Sequence, residues 1–268
     1  MSEAIPITGR TRLYGIVADP IAHVKAPQLL NPHFAATGHD GVTVPLHIAA
    51  EDLPVLVAAL RRLRNFGGAA VTVPHKEAMA RLCDTLSEAA REAGAVNVVR
   101  RDADGTLHGA MFDGEGFVAG LAAAGHRVVG QRIFIAGAGG AAAGITFALA
   151  AHGAAAITIA NRTRARAEAL AARIARARPA VAVTVGADPA GHAIVVNATT
   201  LGLKPGDPLP IDVARLDAGA LVVEIIMDPA ETALMRAARA RGLATHPGRP
   251  MLEEQVPLIA AWMGAGGA

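Results

Sequence analysis

Cysteine is nearly absent from this 268-residue chain. Cys83 stands alone, so no disulfide can close within the chain, and a reducing, cytoplasmic setting is expected. Charge is also scarce: 18% of residues are charged against 52% hydrophobic, and the net charge is only +2. The arginines are spread through helical segments rather than run together, so no nucleic-acid partner is expected. The apolar content excludes a disordered chain. The start lacks a charged segment followed by an apolar run, so no signal peptide is expected, and the most apolar helix, around residues 141–151, is too short to span a membrane. His33, His39 and His47 lack metal-ligand spacing, and with a single cysteine no metal is expected. Repeats and low-complexity linkers are missing as well.

What is present is an alternation of strand-like and helix-like segments, which predicts an α/β architecture with parallel sheets. In the first half, strands are expected at 13–18, 42–46, 69–73, 95–100 and 107–111, with helices at 26–37, 51–63 and 87–92. In the second half, strands are expected at 132–136, 156–160, 181–185, 193–197 and 221–226. Helices should follow the glycine-rich turn after residue 136 and cover 164–178, 232–241 and 252–263, with Thr163 as an N-cap and Gly242 just past a C-terminus. A boundary falls near residues 113–117. The expected domains are 1–114, joined by a C-terminal helical segment 243–268, and 115–242, with a frayed Gly-Ala tail.

One lysine is oddly placed. In Val71-Thr72-Val73-Pro74-His75-Lys76 an apolar strand ends and a helix begins, where the helix dipole disfavours a cation. Asn97 ends another strand, and Asp113 lies in a glycine-flanked turn, Gly109-Ala110-Met111-Phe112-Asp113-Gly114. Thr72 sits four residues before Lys76 at the same strand end, whereas His75 faces away and reads as structural. A Lys, an Asn and an Asp at the ends of different strands form a candidate polar site.

The second half suggests what that site serves. The strand 132–136 runs into Gly137-Ala138-Gly139-Gly140-Ala141-Ala142-Ala143-Gly144, close to the dinucleotide fingerprint in a strand–turn–helix context. Gly137, Gly139, Gly140 and Ala141 are therefore expected to approach a pyrophosphate, with the helix N-terminus facing it and small residues letting the helix pack closely on the strand. The next strand ends in Asn161-Arg162-Thr163-Arg164-Ala165-Arg166, with no acid to accept a ribose hydroxyl and three arginines suited to a phosphate. NADP is expected over NAD, with Asn161, Arg162, Thr163 and Arg166 among its contacts.

With these residues in hand, the chain resembles the shikimate dehydrogenase family over nearly its full length. Asp19-Pro20-Ile21-Ala22-His23-Val24-Lys25-Ala26-Pro27 resembles the family's first-strand motif, Val71 to Lys76 its lysine motif, and Ala93-Gly94-Ala95-Val96-Asn97 its asparagine motif. Asn197-Ala198-Thr199-Thr200-Leu201-Gly202-Leu203 resembles a cofactor-side loop, and Asp228-Pro229 with Thr232, and Met251-Leu252 with Gln255, its C-terminal motifs. The resemblance implies an N-terminal α/β substrate domain and a C-terminal Rossmann-like NADP-binding domain with the active-site cleft between them. It implies hydride transfer between a cyclic alcohol or ketone and NADP, with Lys76 and Asp113 as the acid–base dyad. It adds Asn97 and Gln255 to the substrate side and Asn197 and Thr199 to the cofactor side. The only partner implied is a small cyclic molecule, bound by a monomer or homodimer.

The chain departs from the family in one direction. Two hydroxyl residues that flank the lysine of the first motif, and hold the substrate carboxylate, are here Val24 and Ala26. A tyrosine reaching the same region is Met227, and the polar pair before the Asp is Met111-Phe112. Two lost hydrogen bonds to a charged group correspond to about 3–6 kcal/mol, roughly 10²–10⁴-fold in affinity. The substrate is therefore expected to differ from shikimate. Two other readings stay open: a true shikimate or quinate dehydrogenase with relocated carboxylate contacts, and a non-catalytic ligand sensor.

Overall fold

The computed structural model describes residues 6–265; the first five residues, where the signal-peptide reading falls, and the last three of the Gly-Ala tail lie outside the described residues. The chain divides into two compact units, Met1–Phe112 with Gln255–Ala268, and Asp113–Glu254.

The first unit holds β1 (Arg12–Ala18), α1 (Pro27–Ala36), β2 (Gly41–His47), α2 (Leu53–Arg62), β3 (Phe66–Val71), α3 (Lys76–Leu82), β4 (Thr85–Leu86), α4 (Glu88–Ala93), β5 (Val98–Arg101) and β6 (Leu107–Ala110). Its sheet runs β2-β1-β3-β5-β6-β4. β1 lies parallel to β2 and β3, as expected, but β5 is antiparallel to both β3 and β6. The link between β5 and β6 is too short for a parallel crossover. It closes as a tight turn, with the Asp102 amide 2.9 Å from the Thr106 carbonyl oxygen and Gly105 at φ +92°. β2 is an edge strand and so tolerates Pro45. Asn31 of α1 covers part of that edge, exchanging hydrogen bonds of 3.0 and 2.7 Å with the Thr43 backbone.

The second unit holds α5 (Asp113–Ala123), β7 (Arg132–Ala136), α6 (Gly140–Ala151), β8 (Ala156–Ala160), α7 (Arg164–Ala177), β9 (Ala182–Val185), β10 (Ile194–Asn197), β11 (Leu221–Glu224), α8 (Ala233–Ala240) and β12 (Ala244–His246). A last helix, α9 (Arg249–Trp262), begins in this unit and ends in the first. All neighbours in the sheet β12-β11-β10-β7-β8-β9 are parallel. The order is that of the doubly wound dinucleotide fold, with its switch point between β7 and β10. Apolar strands buried on both faces, such as the wholly buried β10 and β11, suit it. Residues 142–150 of α6 are all buried, as a helix deep in such a unit requires.

Three local expectations change. Asp113 starts a helix rather than sitting in a turn, a favourable end for a carboxylate. The glycines of α5 disguised that helix, but they serve close approach. A Cβ on Gly114 would lie 2.5 Å from the Ala148 Cβ, and closer still to the Gly144 carbonyl oxygen. Gly144 therefore faces α5, not only the strand behind the glycine-rich turn. Second, the return to the first domain, expected from residue 243, is delayed. β12 pairs with β11 instead, and the units divide at Glu254 and Gln255. Third, Thr163 occupies the N-cap position of α7, but its side chain makes no capping hydrogen bond.

Gly114→Ala should destabilise the protein by about 1–3 kcal/mol through overpacking of α5 on α6. Denaturant unfolding of the two forms measures this, and equal midpoints would refute the close packing.

Candidate functional site

In the first unit the candidate residues gather because of the sheet's strand directions. The carboxyl ends of β1, β3 and β6 and the amino end of antiparallel β5 all lie at one end of the sheet. The loop after β1 carries Val24, half-buried, and Ala26, 7% exposed. Thr72 follows β3 and its amide donates to the Val17 carbonyl oxygen at 3.0 Å. Lys76 opens α3 and is half-buried, and its carbonyl oxygen accepts from the Val96 amide at 3.0 Å. That bond ties the lysine's helix to the segment presenting Asn97.

Asn97, expected to end a strand, instead immediately precedes β5, and it is buried and engaged at both ends of its amide. Its Nδ2 donates to Gln255 Oε1 at 2.7 Å, and its Oδ1 accepts from the Phe112 amide at 2.9 Å. Two expected site residues, 158 positions apart in sequence, are thus in direct contact. Asn97 also fixes the backbone immediately before Asp113. Trp262 supports the same turn: its Nε1 donates to the His108 carbonyl oxygen at 3.1 Å, and the Phe112 ring meets it edge-on at 6.1 Å. His75 is buried beside Lys76 with Nε2 3.0 Å from the Ile48 carbonyl oxygen, and burial holds its pKa below the usual value. It braces the turn, in keeping with a structural role. Asp113 and Met227 fall in the second unit, the first buried and the second half-buried.

In the second unit the glycine-rich turn lies at the switch point. Gly137 is at φ +124°, and a Cβ there would stand 2.6 Å from the Ala198 carbonyl oxygen, so the turn packs directly on the loop after β10. Gly139 is the N-cap of α6, supplies no side-chain cap, and a Cβ on it would meet nothing within 4 Å. The first amides of α6 therefore have open approach and no side-chain acceptor at the cap, which fits a pyrophosphate seated over Gly139, Gly140 and Ala141. At the end of β8, Arg162, Thr163 and Arg166 are exposed, and the Asn161 side chain donates to the Thr163 carbonyl oxygen at 2.9 Å. Arg164 is turned to Glu168 at 2.7 Å along the helix, which takes one of the three arginines away from a phosphate role. The residues fit a cofactor carrying a 2′-phosphate.

Asn197 is fully buried at the end of β10. Its Oδ1 accepts from the Thr199 amide at 3.0 Å and hydroxyl at 2.7 Å, which shapes the loop both residues were expected to form. Its Nδ2 lies 3.0 Å from both carboxylate oxygens of Glu224. Glu224 escaped notice in the sequence because the apolar run around it reads as one strand through residue 226. An acid closing Leu221-Val222-Val223 was the available signal. Among the described residues, no group of three or more His, Cys, Asp or Glu is placed to hold a metal ion, and no helix is long and apolar enough to cross a membrane.

The strand order and the open glycine turn at its switch point define a dinucleotide-binding α/β protein with a second α/β unit. Residues 16–99 match the family described as shikimate dehydrogenase substrate binding domain, and residues 121–186 match shikimate / quinate 5-dehydrogenase. The NADP(+) shikimate dehydrogenase of Rubrobacter xylanophilus is 44% identical, over 96% of this chain and 93% of that protein. The shikimate 5-dehydrogenase of Thermus thermophilus, solved with NADP(H) and shikimate, is 30% identical with a TM-score of 0.84, over 96% of this chain and 95% of that one. The ligand-free 5-ketofructose reductase of a Gluconobacter species is 31% identical with a TM-score of 0.81, over 97% and 96%. The chain belongs to the shikimate dehydrogenase family.

Arg162→Ala should raise the NADP Michaelis constant roughly ten- to a hundredfold by removing charge-assisted hydrogen bonds to the 2′-phosphate, and leave that for NAD unchanged. Arg164→Ala, which breaks only the Glu168 pair, should change neither. An unaltered NADP constant in the Arg162 variant would sink this assignment.

Proposed function

We propose that this chain, an NADP-dependent oxidoreductase of the shikimate dehydrogenase family, acts on a cyclic or polyhydroxy alcohol or ketone that presents no carboxylate to the loop after β1. The observation that carries this reading is the pair Val24 and Ala26, half-buried and buried on that loop. A carboxylate brought against them would lose its water without gaining a donor from either side chain. A solved relative is named a 5-ketofructose reductase, after a neutral polyhydroxy ketone, which supports such a substrate on this fold.

In the oxidising direction, bound NADP would supply the acceptor for the hydride of the carbinol C–H bond. The hydroxyl proton leaves to Lys76 or Asp113, and the carbonyl forms. A positioned acid–base group of this kind contributes roughly 10²–10⁴-fold. Asn97 and Gln255, locked together, hold the substrate side in register; Asn161, Arg162, Thr163 and Arg166 grip the cofactor's phosphate end, and Asn197 and Thr199 shape the loop beside the glycine turn. The hydride chemistry itself is the cofactor's. Turnover of shikimate is the second reading, favoured by the 44% identity to the Rubrobacter xylanophilus enzyme.

The test is NADP reduction by the purified protein with shikimate, quinate and uncharged polyol or ring-alcohol analogues in parallel. A neutral substrate should exceed both acids in kcat/KM. Val24→Ser with Ala26→Ser should raise shikimate kcat/KM by about tenfold or more, one or more hydrogen bonds to a charged group being restored. Ala26 has helical φ and ψ of −57° and −36°, unlike the extended residue that usually caps a helix. A hydroxyl introduced there is thus not drawn into capping α1, and stability and specificity can be read separately. Parental enzyme that prefers shikimate, with no gain in the double variant, would overturn the proposal in favour of relocated carboxylate contacts.

Lys76→Ala should lower kcat by roughly 10²-fold or more while NADPH binding, followed by its fluorescence, persists. Turnover within a factor of a few of the parent would remove the lysine from the dyad.

A further inference from the structure

Glu224 lies outside every role assigned so far, yet it is 1% exposed at the carboxyl end of β11, beside the switch-point strand β10. Its surroundings are all donors. Oε1 accepts from the amides of Ile225 at 2.9 Å and Ile226 at 3.1 Å, and Oε2 from the Thr232 hydroxyl at 3.0 Å. The Asn197 Nδ2 approaches both oxygens. The Thr232 oxygen in turn accepts from the Met235 amide at 3.3 Å, so its proton points to the carboxylate. A buried carboxylate is costly unless its lone pairs are filled, and here they are. Burial pushes the Glu224 carboxyl upward in pKa, opposed by these same donors.

These bonds reach two loops at once. Through Asn197, Glu224 holds residues 198–203. There the Thr199 hydroxyl accepts from the Leu201 amide at 3.0 Å, and the Leu201 carbonyl oxygen accepts from Asn197 Nδ2 at 3.0 Å. The Ala198 carbonyl oxygen of this loop is the surface on which Gly137 packs. Directly, Glu224 holds residues 225–232 at both ends, the stretch that carries Met227. The two loops also touch, since a Cβ on Gly202 would come within 3.3 Å of Ile226 Cδ1 and 3.5 Å of Thr232 Cγ2.

We infer that Glu224 is a positioning residue: its buried carboxylate sets the loop that backs the glycine turn and the loop that presents Met227, and so couples cofactor geometry to substrate geometry. The inference rests on the reading of Thr199 and Met227 as site residues. The structural alternative is a carboxylate that only stabilises the fold.

The experiment uses the full chain and compares Glu224→Gln, Thr232→Val and Thr232→Ser by steady-state kinetics, NADPH binding and thermal unfolding. Glu224→Gln keeps the shape but turns an amide donor toward donors. It should lower kcat/KM on the order of ten- to a hundredfold, with a raised NADP Michaelis constant in folded protein, as small displacements of a site do. Thr232→Val removes one donor and should move the same constants in the same direction. Thr232→Ser keeps the hydroxyl and should match the parent. If Glu224→Gln does not fold, the Thr232 pair carries the same readout. Lower unfolding temperatures with unchanged kinetic constants would overturn the inference and leave a purely structural carboxylate. Thr199→Ala and Met227→Ala separate the two levels. Altered kinetics in these variants with unaltered kinetics in Glu224→Gln would refute only the positioning role. Unaltered kinetics in all of them would refute the reading of the loops as site walls.

Discussion

The site ends of both sheets depend on one constraint: a polar group buried where a strand starts or stops must find partners within the protein. An unsatisfied donor or acceptor there costs about 1–3 kcal/mol. Each unit meets the constraint with a buried asparagine. Asn97 joins the Phe112 amide to the Gln255 side chain, and Asn197 joins the Thr199 amide and hydroxyl to the Glu224 carboxylate. An asparagine suits this task because its amide is a donor and an acceptor on one short, stiff arm. The oxygen shapes the nearby loop while the nitrogen recruits a side chain from far along the chain. The site backbone is thereby fixed by bonds sheltered from water, where each bond is electrostatically stronger than on the surface.

Glycine and alanine do a related job for the main chain. Gly137 admits the loop after β10, and Gly114 admits α6. Both positions place backbone against backbone, at distances a Cβ would prohibit. This explains a composition that otherwise reads as bland. It also explains why the helix of Asp113 was hidden in the sequence: a segment with glycines at 114, 116 and 120 has low intrinsic helicity, and tertiary packing overrides that propensity.

Much of the candidate site was legible because strand-end chemistry leaves local marks. A lysine after an apolar run, an asparagine set among apolar neighbours, and arginines where an acid is usual each stand out against the pattern around them, although Asn97 precedes β5 rather than closing a strand. The parallel α/β character of the second unit was legible for the same reason, since strand and helix periods alternate cleanly there, whereas its doubly wound order came only with the structure. The first sheet was harder. Its antiparallel strands follow from the brevity of the link between β5 and β6, a distance along the chain rather than a period, and the Asp104-Gly105 pair within that link is the turn signal. β12 has three residues, too few for any alternation to register. Glu224 was lost in a run of apolar neighbours, because burial of an acid is visible only once its donors are gathered from residues 197, 225, 226 and 232. Thr163 shows the converse: a residue of the right type at a helix start need not commit its hydroxyl to the cap.

Magnitudes bear on the substrate side. Replacing two hydroxyls by Val24 and Ala26 removes about 3–6 kcal/mol of hydrogen bonding to a bound carboxylate. Lys25, between them, already has an interaction within the chain, and the Thr72 amide is engaged by the Val17 carbonyl oxygen. One charge-assisted bond from either side chain restores about 1.5–3 kcal/mol, roughly the value of a single lost hydroxyl, and leaves the desolvation of the carboxylate against Val24 and Ala26 unopposed. A neutral hydroxyl or carbonyl at the same place has no such charge to desolvate and needs no such compensation. On the proposed reading, the loop after β1 suits a neutral group better than an acid, while Lys76, Asn97, Asn197 and the arginines after β8 would serve the hydride transfer that the family performs.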